Sequence, residues 1–240
     1  MTIKFKTLEV KALTEQIHRV RLSPIEGDVF EFKGGQYLFL HLPDGKKIPL
    51  SIASAPEQKN YIELHIRSMH AESLAAEMLN LFQTADVLEI DAPHGNCTLR
   101  DGSNPVIIIA GGTGFSPMKS LLESAFIGAA GREFSLYLGA HTKEEIYQSP
   151  IIEGWQTNQV TFKYTPVVFE SDQSWNGASG YPHEVAIVDY DDRLPECDIF
   201  ISGSEPMVMN VYKALTEKGV PPDQIYSDIL DIKRASGEIE

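Results

Sequence analysis

Hydrophobic and polar residues alternate over residues 6–13 and 17–22, the pattern of strands with one face in a core. Gly34-Gly35 then turns the chain into a strand over 36–42, and Pro43-Asp44-Gly45 makes a hairpin turn into a strand over 46–53. Further strands are expected at 61–66 and 87–90. Between them Leu74, Met78, Leu79 and Phe82 are spaced for one face of a helix over 73–82. Many short strands with a single helix predict an antiparallel β-barrel capped by that helix.

After the polar loop 99–105 the rhythm changes. Strand patterns at 106–109, 134–138, 161–168, 199–201 and 224–226 alternate with helical ones near 116–128, 143–148, 182–189 and 205–218, the order of a parallel α/β sheet. Two domains are therefore expected: residues 1–100 as the barrel, and 101–240 as an α/β nucleotide-binding domain ending in a polar tail over 233–240. Ligands of such sheets sit at the carboxyl ends of the strands. The loops there are Gly111 to Pro117, Gly139-Ala140-His141-Thr142 and Ser202-Gly203-Ser204-Glu205-Pro206-Met207.

The first of these loops carries the strongest chemical signal. Ala110-Gly111-Gly112-Thr113-Gly114-Phe115-Ser116-Pro117-Met118 links an apolar strand to an amphipathic helix. Glycines let backbone N–H groups approach an anion, and a helix N-terminus adds roughly half a positive charge. A phosphate cradle and a tight turn without ligand both fit the residues. Pro117 stands where the dehydrogenase fingerprint G-x-G-x-x-G has its third glycine.

Composition narrows the function classes. A formal charge of -14 repels nucleic acid and anionic membranes, so neither is expected as a partner, and an anionic cofactor must be captured locally. No secretory signal or membrane-spanning run is read, and a cytoplasmic protein is expected. Cys97 and Cys197 are too few for an all-cysteine iron-sulfur or zinc site and read as reduced thiols; the seven histidines show no ligand spacing, so no metal is expected.

The glycine loop, the segment Ile48-Pro49-Leu50-Ser51 and the loop Ser202 to Met207 together resemble the ferredoxin-NADP reductase superfamily. Within it, Gly35-Gln36-Tyr37, Pro49-Leu50-Ser51-Ile52-Ala53-Ser54, Ile62-Glu63-Leu64-His65-Ile66, Asp91-Ala92-Pro93-His94-Gly95 and Asp198-Ile199-Phe200-Ile201 are similar, in order, to bacterial NAD(P)H:flavin oxidoreductases, including those that supply luciferase with reduced flavin. The resemblance implies direct hydride transfer from nicotinamide C4 to flavin N5. It places Pro49, Leu50 and Ser51 along the isoalloxazine, with Ser51 near N5 as the catalytic residue. From the residues alone, Ser51 reads equally as a hydroxyl ending a strand. Tyr37, Ile48, His65, Ile66, Arg67 and Ser73 complete the flavin set. Gly111, Gly112, Thr113 and Gly114 are implied at the nicotinamide pyrophosphate with Ser116 and Pro117 behind them, and His141 at the adenosine. Gly203, Ser204, Pro206 and Met207 shape the nicotinamide pocket, although Met207 by itself reads as a core residue.

Departures from the family pattern refine these expectations. Ile48, His141 and Ala178 stand where relatives carry arginine or another basic residue, and isoleucine cannot bind phosphate. Flavin is therefore expected as a dissociable substrate, FMN or riboflavin, unless Lys46, Lys47 or Arg67 compensates. Bound FAD or FMN in an electron-transfer subunit is the alternative, and a non-catalytic nucleotide-binding module a second one. NADH is favoured over NADPH as donor, with Lys143 the nearby cation. Ser202 replaces a common cysteine, and residues 226–231 lack the aromatics that relatives place near the flavin. The expected partners are the flavin itself and a flavin-consuming enzyme, with the protein a monomer or weak dimer.

Overall fold

The computed structural model describes residues 2–128, 131–159 and 161–239. The expected domain limits at residues 1 and 240 lie outside them. Two compact units are present, residues 2–99 with 116–128, and residues 100–115 with 131–239.

The first unit is built on β1 (Thr2–Ala12), β2 (Ile17–Pro24), β3 (Tyr37–His41), β4 (Lys47–Ser51), β5 (Ile62–Arg67), helix α1 (Leu74–Thr84) and β6 (Leu88–His94). They form one sheet in the order β4-β3-β6-β1-β2-β5, antiparallel at every pairing. Its two ends meet just beyond β4, where the Ala53 N–H donates to the Glu63 carbonyl at 2.7 Å. β1 starts earlier than the alternation suggested, because Thr2 to Phe5 pair with Asp91 to Leu88. Inside lie Phe5, Val20, Leu22, Leu38, Leu40, Ile62, Leu64 and Ile90. Helix α1 caps this core with Met78 and Phe82, and Ser73 caps the helix by accepting from the Ala76 N–H at 3.2 Å.

The second unit carries β7 (Val106–Gly111), the start of α2 (Phe115–Gly128), β8 (Phe134–Ala140), α3 (Ser149–Asn158), β9 (Phe162–Val168), β10 (Ala178–Ser179), α4 (Pro182–Tyr190), β11 (Asp198–Ser202), α5 (Glu205–Glu217), β12 (Ile225–Tyr226) and α6 (Asp228–Ala235). Its sheet is parallel throughout, in the order β10-β9-β8-β7-β11-β12. Val106 to Ala110 are fully buried, as a central strand with helices on both faces requires. The order runs outward from β7 in one direction to β10 and resumes on its other side with β11. The ends of β7 and β11 thus mark the topological switch point, where open α/β sheets bind their ligands.

The second unit departs from expectation in a few places. The helical pattern at 143–148 is only a short 3-10 turn over Lys143–Glu145, and the helix is α3. Gln148, at φ 65, and Pro150 set its start, and Ile152 buries its inner face. The brief strand β10 has no pattern of its own to reveal it. The expected polar tail over 233–240 begins inside α6, whose last residues are 233–235; the helix buries Leu230, and Lys233 pairs with Glu205 at 2.7 Å. Residues 116–128 of α2 group with the first unit.

Candidate active site

At the switch point, four glycines answer to conformation or to packing. Gly112 has φ 53, and Gly112–Gly114 form a 3-10 turn between β7 and α2. A β-carbon on Gly111 would lie 2.5 Å from the Met207 sulfur, and one on Gly203 2.6 Å from the same atom. One on Gly114 would strike the Ser202 carbonyl. The end of β7, the end of β11 and the head of α5 therefore meet at a spacing only glycine permits. Met207 seals this junction while also packing on the unit's core, as its reading as a core residue expects.

Ser116 lies in the first turn of α2. It is 2% exposed, and its hydroxyl has no hydrogen-bond partner among the described residues. An unsatisfied buried hydroxyl costs about 1–3 kcal/mol, which an anionic ligand oxygen would relieve. Pro117 sits in the same first turn, where its missing N–H costs the helix nothing. Glycine clearance, an orphaned hydroxyl and a helix N-terminus suit a pyrophosphate.

At the carboxyl ends of β8 and β9 the structure shows a feature the sequence did not signal. The His141 ring stacks on Phe169 at 5.8 Å, Phe169 meets Tyr181 at 5.0 Å, and Tyr181 meets His183 at 5.7 Å. Phe169 and Tyr181 are 47% and 49% exposed. Such a ladder offers flat faces to a planar ring. The charges around it are compensated: His141 lies 3.3 Å from Glu170, and Lys143 is held by Asp172 at 3.4 Å and by the Ser174 hydroxyl.

In the first unit, strand alternation divides the flavin set. Ser51 pairs with Tyr37, which pairs in turn with His94, and Pro49 pairs with Phe39, so these side chains share one face. The Tyr37 and His94 rings stack at 5.8 Å. Ile48 and Leu50 pair with Leu40 and Leu38 and pack on the core from the opposite face. A ligand reaching all four residues of the segment must lie along β4, the edge strand of the sheet. His65 and Ile66 are buried, the former with its ring against Glu63, so neither side chain faces a surface ligand. Arg67 is held by Gln16 at 3.0 and 3.2 Å, Lys46 by Asp44 at 2.7 Å and Lys47 by Asp91 at 3.5 Å. Ser73 is engaged as the cap of α1 and donates to the His70 carbonyl.

Beneath this surface sits a buried ionic cluster that sequence reading missed, because its members lie on strands and a helix far apart in the chain. Glu63 accepts from His65 Nε2 at 3.1 Å and from Arg21 Nε at 3.0 Å, and lies 3.4 Å from the Lys119 ammonium. Burial alone would raise its carboxyl, but the bonds from His65 and Arg21 and the Lys119 charge hold it at about 2. The His65 ring is pushed down, chiefly by burial. A folded-state carboxyl below its ordinary value stabilises the fold above the unfolded pKa and loses that contribution as pH falls through the folded one. Thermal stability is therefore expected to fall between about pH 4.5 and 2, with a shallower fall for Glu63→Gln. Melting curves across that range check this, and identical slopes would refute it.

Among the described residues no cluster of histidine, cysteine, aspartate and glutamate could hold a metal ion, and no helix is long and apolar enough to cross a membrane. Comparison with known proteins matches residues 5–99 to the oxidoreductase FAD-binding domain and residues 108–213 to the oxidoreductase NAD-binding domain. The chain is 31% identical over 236 residues to an NAD(P)H-flavin reductase of Aliivibrio fischeri, covering 95% of this chain and 98% of that one. It is 32% identical over 209 residues to Protein RfbI of Salmonella typhimurium, covering 87% of this chain but spanning only 61% of the longer relative. The fold is shared with a ferredoxin reductase in carbazole 1,9a-dioxygenase, at a TM-score of 0.83 and 23% identity over 95% of this chain and 69% of the other.

Proposed function

Because the chain belongs to the NAD(P)H:flavin oxidoreductase branch of the ferredoxin-NADP reductase superfamily, we propose that it reduces free flavin with a nicotinamide donor. The observation that carries this reading is the cradle at the switch point, where the glycines at the ends of β7 and β11 let backbone approach a pyrophosphate, in a chain that matches a flavin reductase over 95% of its length. Residues 1–100 take the flavin and residues 101–240 the nicotinamide donor. When both are bound, the cofactors supply the chemistry, a hydride passing from nicotinamide C4 to flavin N5.

The protein's task is to hold and align. Gly111, Gly112, Thr113 and Gly114 seat the pyrophosphate with Ser116, and the Gly203, Ser204, Pro206 and Met207 loop orients the nicotinamide. The ladder from His141 to Tyr181 offers a face for the adenine. Ser51, beside Tyr37 at the end of β4, presents its hydroxyl to N5. A hydroxyl both donates and accepts, so it can serve N5 before and after reduction. Alignment of this kind supplies up to ~7–11 kcal/mol of a barrier.

Two details follow from the paired charges. Ile48 packs on the core, and Lys46, Lys47 and Arg67 are engaged within the protein, so no cation is poised for a flavin phosphate among them. This favours FMN or riboflavin as a substrate that leaves once reduced, for use by a flavin-consuming enzyme. Lys143 is likewise compensated, and Glu170 and Asp172 stand nearby, which favours NADH over the additional phosphate of NADPH. A cytoplasmic setting accords with the burial of Cys97 and Cys197.

The test is an absorbance spectrum of the purified protein followed by NADH oxidation at increasing riboflavin or FMN. The expected result is a colourless protein whose NADH oxidation saturates with added flavin and is several-fold slower with NADPH. Oxidation indifferent to added flavin would overturn the reading. A yellow protein turning over with an electron acceptor alone would establish the bound-flavin alternative.

A further inference from the structure

Helix α2 grips the backbone that follows Ser51. The Lys119 ammonium, 5% exposed, donates to the Ala53 carbonyl at 3.1 Å, and the Ser120 hydroxyl donates to the Ser54 carbonyl at 2.7 Å. Gly34 lets the helix come this close, since a β-carbon there would lie 2.8 Å from the Leu121 Cα. Other polar groups of the segment are also tied: Ile52 N–H donates to the Gln36 carbonyl at 3.1 Å, Ala53 N–H to the Glu63 carbonyl at 2.7 Å, and Ser54 Oγ accepts from the Glu63 N–H at 3.1 Å.

The choice of a lysine at this contact is informative. Its three protons meet Ala53, a Glu63 oxygen at 3.4 Å and a Glu123 oxygen at 3.0 Å. Burying an ammonium and its carboxylates is expensive, and apolar residues of similar volume often dock a helix at least as well. What a hydrophobic contact cannot do is fix a carbonyl in direction. That matters here because β4 is an edge strand with a ladder on one side only, so its outgoing end is set by the clamps on residues 52 to 54.

We infer that Lys119 is a positioning residue for flavin reduction, fixing the Ala53 carbonyl and, through two residues of backbone, the orientation of the Ser51 hydroxyl at the ligand edge of β4. The inference rests on the flavin reading of Ser51 given above. It adds to that reading a buried cation on a different element, which touches neither ligand.

Lys119→Met is expected to lower kcat about tenfold and to raise the flavin KM, with the NADH KM within about twofold of the parent. Lys119→Arg, which keeps a buried donor and charge, is expected to recover most of the loss. Steady-state kinetics over both substrates, at a temperature where circular dichroism shows each variant folded, read this directly. Unchanged flavin parameters in Lys119→Met overturn the inference, as does an equal loss on the NADH side. Should Lys119→Met not fold, Ser120→Ala decides, because it removes the companion clamp without unpairing a charge. It is expected to shift the flavin parameters the same way by a smaller factor, and unchanged values overturn the proposal. Parent protein lacking flavin-dependent NADH oxidation would instead sink the functional reading, whatever the variants do.

Discussion

Gly114→Ala is expected to cut kcat/KM for NADH about a hundredfold while leaving flavin affinity unchanged. The added methyl lands on the backbone of Ser202 and Gly203, which has no rotamer to give way, so β7 and β11 must separate at their carboxyl ends. The pyrophosphate turn moves with them, and displacements near 1 Å in a positioned ligand cost on the order of a hundredfold in rate. Overpacking should also lower stability by about 1–3 kcal/mol. Gly154→Ala in α3 is the control, because a β-carbon there meets nothing within 4 Å and helical alanine is favoured over glycine. NADH titrations with a parallel flavin-fluorescence measurement separate the two substrates. An unaltered NADH KM in Gly114→Ala would show that the turn does not seat the donor.

The second large effect falls on Ser51. Ser51→Ala is expected to slow hydride transfer in single turnovers by about ten- to a hundredfold, equivalent to ~1.4–2.7 kcal/mol of barrier, with little change in nicotinamide binding. The loss should sit in the chemical step because a hydrogen bond at N5 changes strength as N5 accepts the hydride. Ser51→Thr keeps the hydroxyl and should retain part of the rate. If rapid-mixing traces of Ser51→Ala overlay those of the parent, the hydroxyl has no role at the reacting atom.

Much of the architecture could be read from the chain, for identifiable reasons. Val106-Ile107-Ile108-Ile109 is apolar on both faces because β7 lies in the middle of a covered parallel sheet, and no other element gives that pattern at that length. The glycine loops announced themselves because the backbones they join leave no room for a side chain. Illegible parts were set by partners distant in sequence. Pro150, suited to a first helical turn, is the local mark of the helix over 149–158 rather than 143–148, while the left-handed backbone of Gln148 that starts it has no sequence signal. Helix α6 gave no signal because a short helix with one buried leucine gains its stability from packing, not propensity, so its last residues 233–235 read as the start of the tail. The arginine that relatives carry before the Pro-x-Ser segment drew attention to Ile48 as a lost phosphate contact. The register shows what isoleucine does instead, which is to fill the barrel beside Leu40. Likewise His65 fits the family motif by type, yet its ring is committed to Glu63 through a cluster whose cation, Lys119, comes from another element.

Pro49 has a consequence beyond any ligand. An open edge strand is a template for another chain's strand, and sheets closed along most of their circumference remain vulnerable at the one gap left for a ligand. Proline in the middle of β4 has no N–H to offer an incoming strand, and Lys46 and Lys47 hold charge at its entrance. A flat ring can still slide along that edge, whereas a second polypeptide cannot zip onto it. Pro49 thus withholds one backbone donor from any strand of a second copy that approaches this edge.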